Sequence, residues 1–308
     1  MIYNSPMILV TGASGFVGRS VMRLLHEQGR PVKAYQGRIN DPLALRAELL
    51  DVETIIHLAG AEARDRVRLL RHVDVEGTER LLEEARRARV ERVVLISHLN
   101  ADPNALQAVL RAKGEQERLF RHSGLPYTIL RSATLFGRDD RFLNVIVGLA
   151  AWTWPMVWVP GGGHAALQPF WVEDLARCVT LSLDRADMAG KLFEVAGEER
   201  LRYVDVVREV LRTAGMRRFM IRPSVKLMRP LSALLFGWMR RPPVTRFFMD
   251  RFTVPEVAPI DNVRRYFGFQ PARMRQHMAY VRRPRPGLHL FRLSQQAPTP
   301  SRTIGPRR

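Results

Sequence analysis

The sequence has one cysteine, Cys178, in 308 residues, so no disulfide can form within the chain. A reduced, intracellular setting is expected. Acids are scarce: 30 Asp and Glu stand against 49 Lys and Arg, for a net charge of +19 and a pI near 11.3. Long apolar runs are scarce too. The nearest to one, residues 142–159, is broken by Asn144, Gly148 and Pro155, which argues for a buried helix and a short strand rather than a membrane span. "MIYNSPMILV" lacks a basic stretch followed by a long apolar one, so no secretory leader is expected. No internal repeat is present, and no metal site is expected.

What is present is globular. With 46% hydrophobic and 26% charged residues, the chain can build one large domain or a domain plus a lobe. Apolar runs at "MILVT", "PVKAYQ", "TIIHLAG", "RVVLIS" and "YTILRSATLFG" read as strands. Helical patterns lie between them, including one opened by Asp41 as N-cap with Pro42 at its first position, and "LQAVLRAKGEQE". That alternation predicts an α/β fold, a Rossmann-type doubly wound parallel sheet. Between "KAYQ" and "TIIHLAG" there is room for a helix and no convincing strand, so a reduced sheet edge is expected. A smaller, mostly helical C-terminal lobe should follow. The expected divisions are 1–140 for the core, 141–283 for the lobe with core elements returning near 165–200, and 284–308 for a flexible basic tail. From Arg282 onward the chain has seven arginines and no acid.

"TGASGFVG" places Gly12, Gly15 and Gly18 between the first strand and the first helix. Gly12 permits the tight turn, Gly15 lets the backbone approach a pyrophosphate, and Gly18 lets the helix pack on the strand. The helix N-terminus supplies N–H groups and positive dipole to phosphates. Thr11, Ala13, Ser14, Phe16, Val17 and Arg19 complete the candidate loop. At the end of the second strand the residues are Gln36-Gly37-Arg38, with no acid before Asp41. This favours NADP, with NAD also open, since an acid there would hold the ribose hydroxyls of NAD. Arg38 is the candidate for the 2′-phosphate; the alternative is a solvated loop arginine.

The spacing G-x-x-G-x-x-G resembles the short-chain dehydrogenase/reductase superfamily in its extended and atypical branches. "IIHLAG", "VEGTERLLEEARRARVERVVLIS", "GLPYTILRSATLFG" and "QPFWVEDLARCV" resemble its later motifs, in order, over roughly residues 7–282. "RPPVTRFFMDRFTVPEVAPIDNVRRYFGFQPARM" is similar in style to the C-terminal lobe of the NmrA-like proteins and of the nucleotide-binding accessory subunit of respiratory complex I. The resemblance implies that Leu58, Ala59 and Gly60 pass near the adenosine and ribose, and that Arg131 lies in the strand leading to the substrate cleft. It also implies a catalytic serine, a tyrosine, and a lysine four residues after the tyrosine. Those positions hold Ser97, Val109 and Lys113, and no tyrosine occurs between residues 36 and 126; the resemblance also makes Ser97, Lys113 and Arg131 candidate cofactor contacts, Lys113 at the nicotinamide ribose, the alternative for Lys113 being a solvated helix lysine. Valine cannot donate or accept a proton, so carbonyl reduction should be crippled while cofactor binding survives. His98 is the natural substitute donor, and His122 a second; each is also readable as a structural or surface histidine. Asp174 reads as an early-turn acid of its helix, and Cys178 as a small buried apolar residue.

Leu227, Leu231, Leu234, Leu235 and Trp238 recur at helical spacing, Arg222, Lys226 and Arg229 line another face, Arg240 and Arg241 close the run, and Pro230 is expected to start the helix. Two readings of the stripe stand: a basic amphipathic helix on an anionic membrane surface, or a lobe helix packed on the fold. The net charge points the same two ways, to an anionic partner or to solvated faces. No nucleic-acid motif accompanies the charge. The leading expectation is a cytoplasmic NADP(H)-binding structural or regulatory protein, held in a protein complex or peripherally on the inner face of the cell membrane. An active oxidoreductase or nucleotide-sugar epimerase with a non-standard proton donor is the alternative. A basic lipid- or nucleic-acid-binding protein that takes no nucleotide comes third.

Overall fold

Continuous apolar runs become strands buried on both faces, as a parallel sheet demands. The computed structural model describes residues 7–64, 66–236 and 244–281. Strands β1 (Met7–Thr11), β2 (Val32–Ala34), β3 (Val52–His57), β4 (Arg92–His98) and β5 (Tyr127–Ser132) are joined through helices α1 (Phe16–Glu27), α2 (Pro42–Glu48), α3 (Val67–Leu70), α4 (Gly77–Arg87) and α5 (Ala108–His122). Asp41 caps α2 as expected, accepting from the Leu43 and Ala44 amides at 3.1 and 3.2 Å. Between α3 and α4 a π-helical stretch, Arg71–Glu76, turns Asp74 fully inward.

Beyond β5 the chain leaves the sheet. The expected single strand to Gly137 breaks at Ala133–Thr134, and β6 (Leu135–Phe136) pairs instead with β9 (Phe170–Trp171). The pieces α6 (Leu143–Trp152), β7 (Met156–Trp158) and β8 (Ala166–Leu167) lie between them. The helix and short strand predicted for residues 142–159 are therefore α6 and β7. Helix α7 (Val172–Leu183) and β10 (Lys191–Val195) return to the core. The six-stranded sheet runs β10-β5-β4-β3-β1-β2, all parallel. Among the described residues β2, three residues long, forms the edge, and no strand lies beyond it: the reduced edge expected from the sequence.

The lobe is built by β11 (Leu201–Arg202), α8 (Tyr203–Thr213), β12 (Phe219–Ile221), α9 (Val225–Phe236) and α10 (Arg246–Asp250), followed by α11 (Asn262–Phe267). It has its own core, centred on Val145, Ile146, Val206, Val207, Val210 and Met249. Two expectations are corrected. Helix α9 starts at Val225, with Pro230 inside it. The first turn is already held by the Leu227 and Met228 amides on the Ser224 carbonyl, and Met228 is buried. Packing thus outweighs the roughly 3 kcal/mol an internal proline costs. The return to the core also extends past residue 200: Ala258, Val263, Phe267 and Phe269 pack on the sheet's own cluster, with Phe193 and Phe267 rings 5.8 Å apart. After the "FGFQP" turn the chain makes a 3-10 turn, Met274–His277. Trp238, Arg240, Arg241 and the tail from Arg282 lie outside the described residues.

Candidate functional site

The chain passes from β1 to β2 on one side of the sheet and to β3 on the other, so the crevice for a ligand opens at the C-terminal ends of β1 and β3. The glycine loop occupies it. Gly12, at φ +70°, is so close to the next strand that a Cβ would sit 2.7 Å from Leu58 and Ala59 backbone. A Cβ on Gly18 would lie 2.3 Å from the Gly12 carbonyl oxygen, which fixes α1 against β1. Gly15 differs: its Cβ would meet only the Gly12 carbonyl, at 3.1 Å, and otherwise projects into open space. Gly15 also starts α1 with no side-chain cap, leaving the first-turn N–H groups of Phe16, Val17 and Gly18 for an anion. An open cradle against uncapped N–H groups fits a pyrophosphate. Ala13 and Val17 pack toward the core beneath it. A nicotinamide dinucleotide held here would supply or accept hydride.

Below the loop is a buried polar network that sequence reasoning did not find. His57 ends β3 and is 1% exposed. Its Nδ1 lies 2.7 Å from Thr11 Oγ1 and its Nε2 lies 3.0 Å from Thr78 Oγ1. The Thr78 hydroxyl donates to the Asp74 carbonyl, 2.6 Å, so it must accept from the ring. That assigns the proton to Nε2, and Nδ1 accepts from Thr11. Thr11 Oγ1 can then accept from the Leu58 and Ala59 amides at 3.2 and 3.4 Å. Every donor matches an acceptor only with a neutral ring. Burial, and secondly the Lys113 charge, lower the His57 pKa to about 3. The Gln116 amide donates to Thr78, 2.8 Å, and takes a hydrogen bond from Lys113 Nζ, 2.7 Å. Lys113 Nζ also pairs with Asp74 at 3.1 Å, and Asp74 accepts from the Ala61 amide at 2.8 Å, beside Gly60. The signal was present: Lys113, Gln116 and Glu117 are polar positions on a buried face of α5.

The other sequence candidates divide. Ser97 is 1% exposed and donates to Glu117 at 2.7 Å. Arg131 donates to both oxygens of the same carboxylate, 2.8 and 2.7 Å, and to the Ala101 carbonyl. The structure therefore joins Ser97 and Arg131 through a buried acid, where the sequence suggested substrate- and cofactor-side roles. Arg19 reaches the Ser14 carbonyl and Asp139, 2.8 and 3.0 Å, tying the glycine loop to the loop after β6. Arg38 is exposed, and its guanidinium has no partner among the described residues. His122 is an exposed residue bound to the Arg118 carbonyl one turn back. Asp174 accepts from the Ala272 amide at 2.7 Å, and burial raises its pKa. Cys178 is fully buried, and burial pushes its thiol up. Both have structural positions, as read from the sequence.

One turn before Lys113 the surroundings become apolar. Val109 is buried with Leu70, Ala112 and Phe247, the last from α10 of the lobe. Beside it lies a narrow cleft of about 30 Å³ lined by Glu62, His98, Val109, Phe247, Arg251 and Glu256. His98 Nε2 is 3.1 Å from Glu62 Oε2. Burial pushes the Glu62 carboxyl up, but the His98 ring and the Arg251 and Lys113 charges outweigh it and hold the group well below the usual carboxylate range. Glu256 accepts from Thr134 and Arg251 across the same cleft. Among the described residues no group of three or more His, Cys, Asp or Glu is placed to hold a metal.

A family model described as NAD(P)H-binding matches residues 32–148. The chain is 26% identical over 283 residues to rat NADH dehydrogenase [ubiquinone] 1 alpha subcomplex subunit 9, mitochondrial, covering 82% of this chain and 73% of the relative. It is 23% identical over 227 residues to the photosystem II assembly factor Ycf39 of Cyanophora paradoxa, 68% of each. In fold it is similar to a short-chain dehydrogenase/reductase superfamily protein from Agrobacterium tumefaciens crystallised with NAD. The TM-score is 0.66 at 20% identity, over 89% of this chain and 94% of that one.

Proposed function

We infer that the chain is an atypical relative of the short-chain dehydrogenase/reductase superfamily, that it holds NADP(H) as a structural or regulatory component, and that it does not run tyrosine-dependent carbonyl chemistry; the NAD(P)H-binding match over residues 32–148 and the 26% identity to the rat subunit support this reading. The observation that carries this reading is the state of α5. At the family's tyrosine position stands Val109, packed on Leu70 and Phe247, while Lys113 is paired with Asp74. The buried lysine is satisfied by an acid and an amide, and no tyrosine hydroxyl stands one turn before it to exchange a proton. NADP is preferred over NAD because no acid follows β2 before Asp41 and the Arg38 guanidinium there is unpaired among the described residues. The cytoplasm is the proposed location. Docking of the basic lobe on a protein complex or on the anionic inner face of the cell membrane is the proposed role. The complex I and photosystem II names of the relatives support the complex, and the lobe's exposed apolar side chains support the membrane. No helix among the described residues is long and apolar enough to cross a membrane.

Calorimetry with NADPH and NADH, paired with turnover assays on carbonyl compounds and sugar nucleotides, tests this. Tight NADPH binding without turnover is the expected result, and turnover overturns it. A specific observation favours one alternative: His98 and Glu62 form a hydrogen-bonded dyad on the cleft next to Val109. On that reading His98 is the proton donor of an oxidoreductase or epimerase. Turnover that disappears in His98→Ala would establish it.

A further inference from the structure

Most of the apolar stripe of α9 faces inward. Met228 is buried in the lobe core, Leu235 packs against that core, and Leu231 lines a small cavity with Leu149 and Phe248. The outward apolar surface of the lobe lies instead on the two-stranded ribbon of β7 and β12. These strands pair in parallel, Phe219 with Met156 and Ile221 with Trp158, and side chains alternate between the two faces. Val157 is buried and Met220 packs on the lobe core, so these two mark the inner face. Phe219, 75% exposed, and Ile221 mark the outer one.

Backbone hydrogen bonds bring tryptophan and arginine to the same end of the ribbon. The Phe219 amide donates to the Pro155 carbonyl at 3.0 Å, so Trp154, 72% exposed, is the chain neighbour of the residue that holds Phe219. The Met156 amide donates to the Thr153 carbonyl at 2.8 Å, closing a tight turn after Trp152, the exposed last residue of α6. Arg218 Nε donates to the Ala150 carbonyl at 2.6 Å and ties the entry of β12 to the same end of α6. Arg217 and Arg222, on either side of β12, are exposed without an acidic partner among the described residues. The five residue steps between them reach at most about 17 Å, so both arginines lie close to the Phe219 ring. Other large exposed apolar residues, such as Leu43 and Leu106, stand on distant elements of the core. Clustering of this kind marks an interaction surface.

The charge around the patch selects its occupant. Residues 141–172, which carry β7, contain no Asp or Glu, and residues 210–249, which carry β12, contain nine Lys and Arg and no acid. A second copy would set positive surface against positive surface, and repulsion disfavours it. Exposed tryptophan and phenylalanine with unpaired arginines alongside match the boundary between headgroups and acyl chains of an anionic bilayer.

We propose that the end of the β7–β12 ribbon is the face by which the lobe docks on an anionic lipid surface, with Trp154 and Phe219 entering the interface and Arg217 and Arg222 on the phosphates. The inference rests on the membrane reading above and narrows it to one face, and its test keeps the two apart. The full-length protein is sedimented with phosphatidylcholine vesicles with and without phosphatidylglycerol, and its retention on immobilised polyglutamate is measured in parallel. Sedimentation with the phosphatidylglycerol vesicles is expected, with tryptophan emission quenched by brominated acyl chains. Trp154→Ser/Phe219→Ser should weaken it at least ~10-fold. Arg217→Gln/Arg222→Gln should weaken it about 25-fold, from about 5-fold per cation. All four side chains are exposed, so melting temperature and NADPH affinity should hold in both variants. Undiminished sedimentation of both variants overturns this face and leaves the membrane reading. No sedimentation of the parent protein, even at low salt, overturns both. Equal sedimentation with phosphatidylcholine alone overturns the role of the arginines. Vesicle binding and polyglutamate retention that fall together in the arginine variant, and in neither case in the Trp154/Phe219 variant, would show charge acting alone and overturn insertion.

Discussion

Two neighbouring turns of α5 are built from opposite materials. The turn bearing Lys113 and Gln116 joins a polar network through Asp74, Thr78, His57 and Thr11, with each donor matched. The turn bearing Val109 and Ala112 is sealed with Leu70 and Phe247. The first lies under the glycine loop proposed to hold a dinucleotide; the second carries Val109, which on the proposed reading takes the place of the superfamily's proton donor. Binding and proton transfer are therefore separable in this fold, because they draw on different turns of one helix. The network is all-or-none, since removing a member strands a buried polar partner. The apolar turn carries no such penalty.

The largest effect should come from breaking the network at its charge. Asp74→Ala leaves Lys113 buried and uncompensated, which is expected to cost about 3–5 kcal/mol. Thermal and denaturant unfolding measure it, and a loss below 1 kcal/mol would mean that the pair is not the anchor of this turn. Gly15→Val comes next and separates binding from folding. A side chain there fills the phosphate cradle yet meets only one carbonyl oxygen. NADPH affinity should drop on the order of 100-fold, about 2.8 kcal/mol, with little change in melting temperature. Unchanged affinity would displace the dinucleotide from the glycine loop.

Sequence patterning showed the sheet and the loop because both depend on local rules. Buried parallel strands are apolar throughout, and only glycine tolerates the approaches at Gly12 and Gly18. The reduced edge was legible as missing residues between two strands. The network was legible only at α5, where Lys113 and Gln116 share a buried face; its other members, Thr11, His57, Asp74 and Thr78, lie on other elements, and no local pattern joins them to that face. Glu117 gathers Ser97 and Arg131 for the same reason unseen, and Phe247 reaches Val109 only through the lobe. The break after Ser132 escaped notice because its apolar residues continue straight through while their pairing partner changes. Pro230 misled because a helix start is its commonest tolerated place, whereas here packing of Met228 decides.

The network also makes a pH signature that the apolar turn lacks. His57 is neutral in the fold, with its pKa lowered to about 3, while an unfolded histidine titrates near ~6.5. Below the unfolded value the unfolded chain binds the extra proton, so stability is full above it and falls as pH drops toward 3. The slope contributed by one such group approaches about 1.4 kcal/mol per pH unit, or roughly 2 kcal/mol between pH 6.5 and 5. Unfolding measured across that window should show this excess slope over His57→Asn. Equal slopes would mean that the ring is charged in the fold, and the hydrogen-bond assignment through Thr11 and Thr78 would fail.

The smallest expected effect bears most directly on the proposed loss of chemistry. Val109→Tyr restores a hydroxyl four residues before Lys113, on the same face of α5. The site is packed by Leu70 and Phe247, so the larger ring should cost about 1–3 kcal/mol. Turnover should nonetheless stay at background. Lys113 is held by Asp74 and Gln116, Ser97 is bound to Glu117, and the cleft beyond Val109 is narrow. A tyrosine placed there gains neither the free cation nor the serine that would set it to work. If the variant instead reduces a carbonyl substrate at a rate raised by about 100-fold or more, within the range general acid catalysis supplies, the network is not a barrier to chemistry. The missing hydroxyl would then be the whole difference between the two turns.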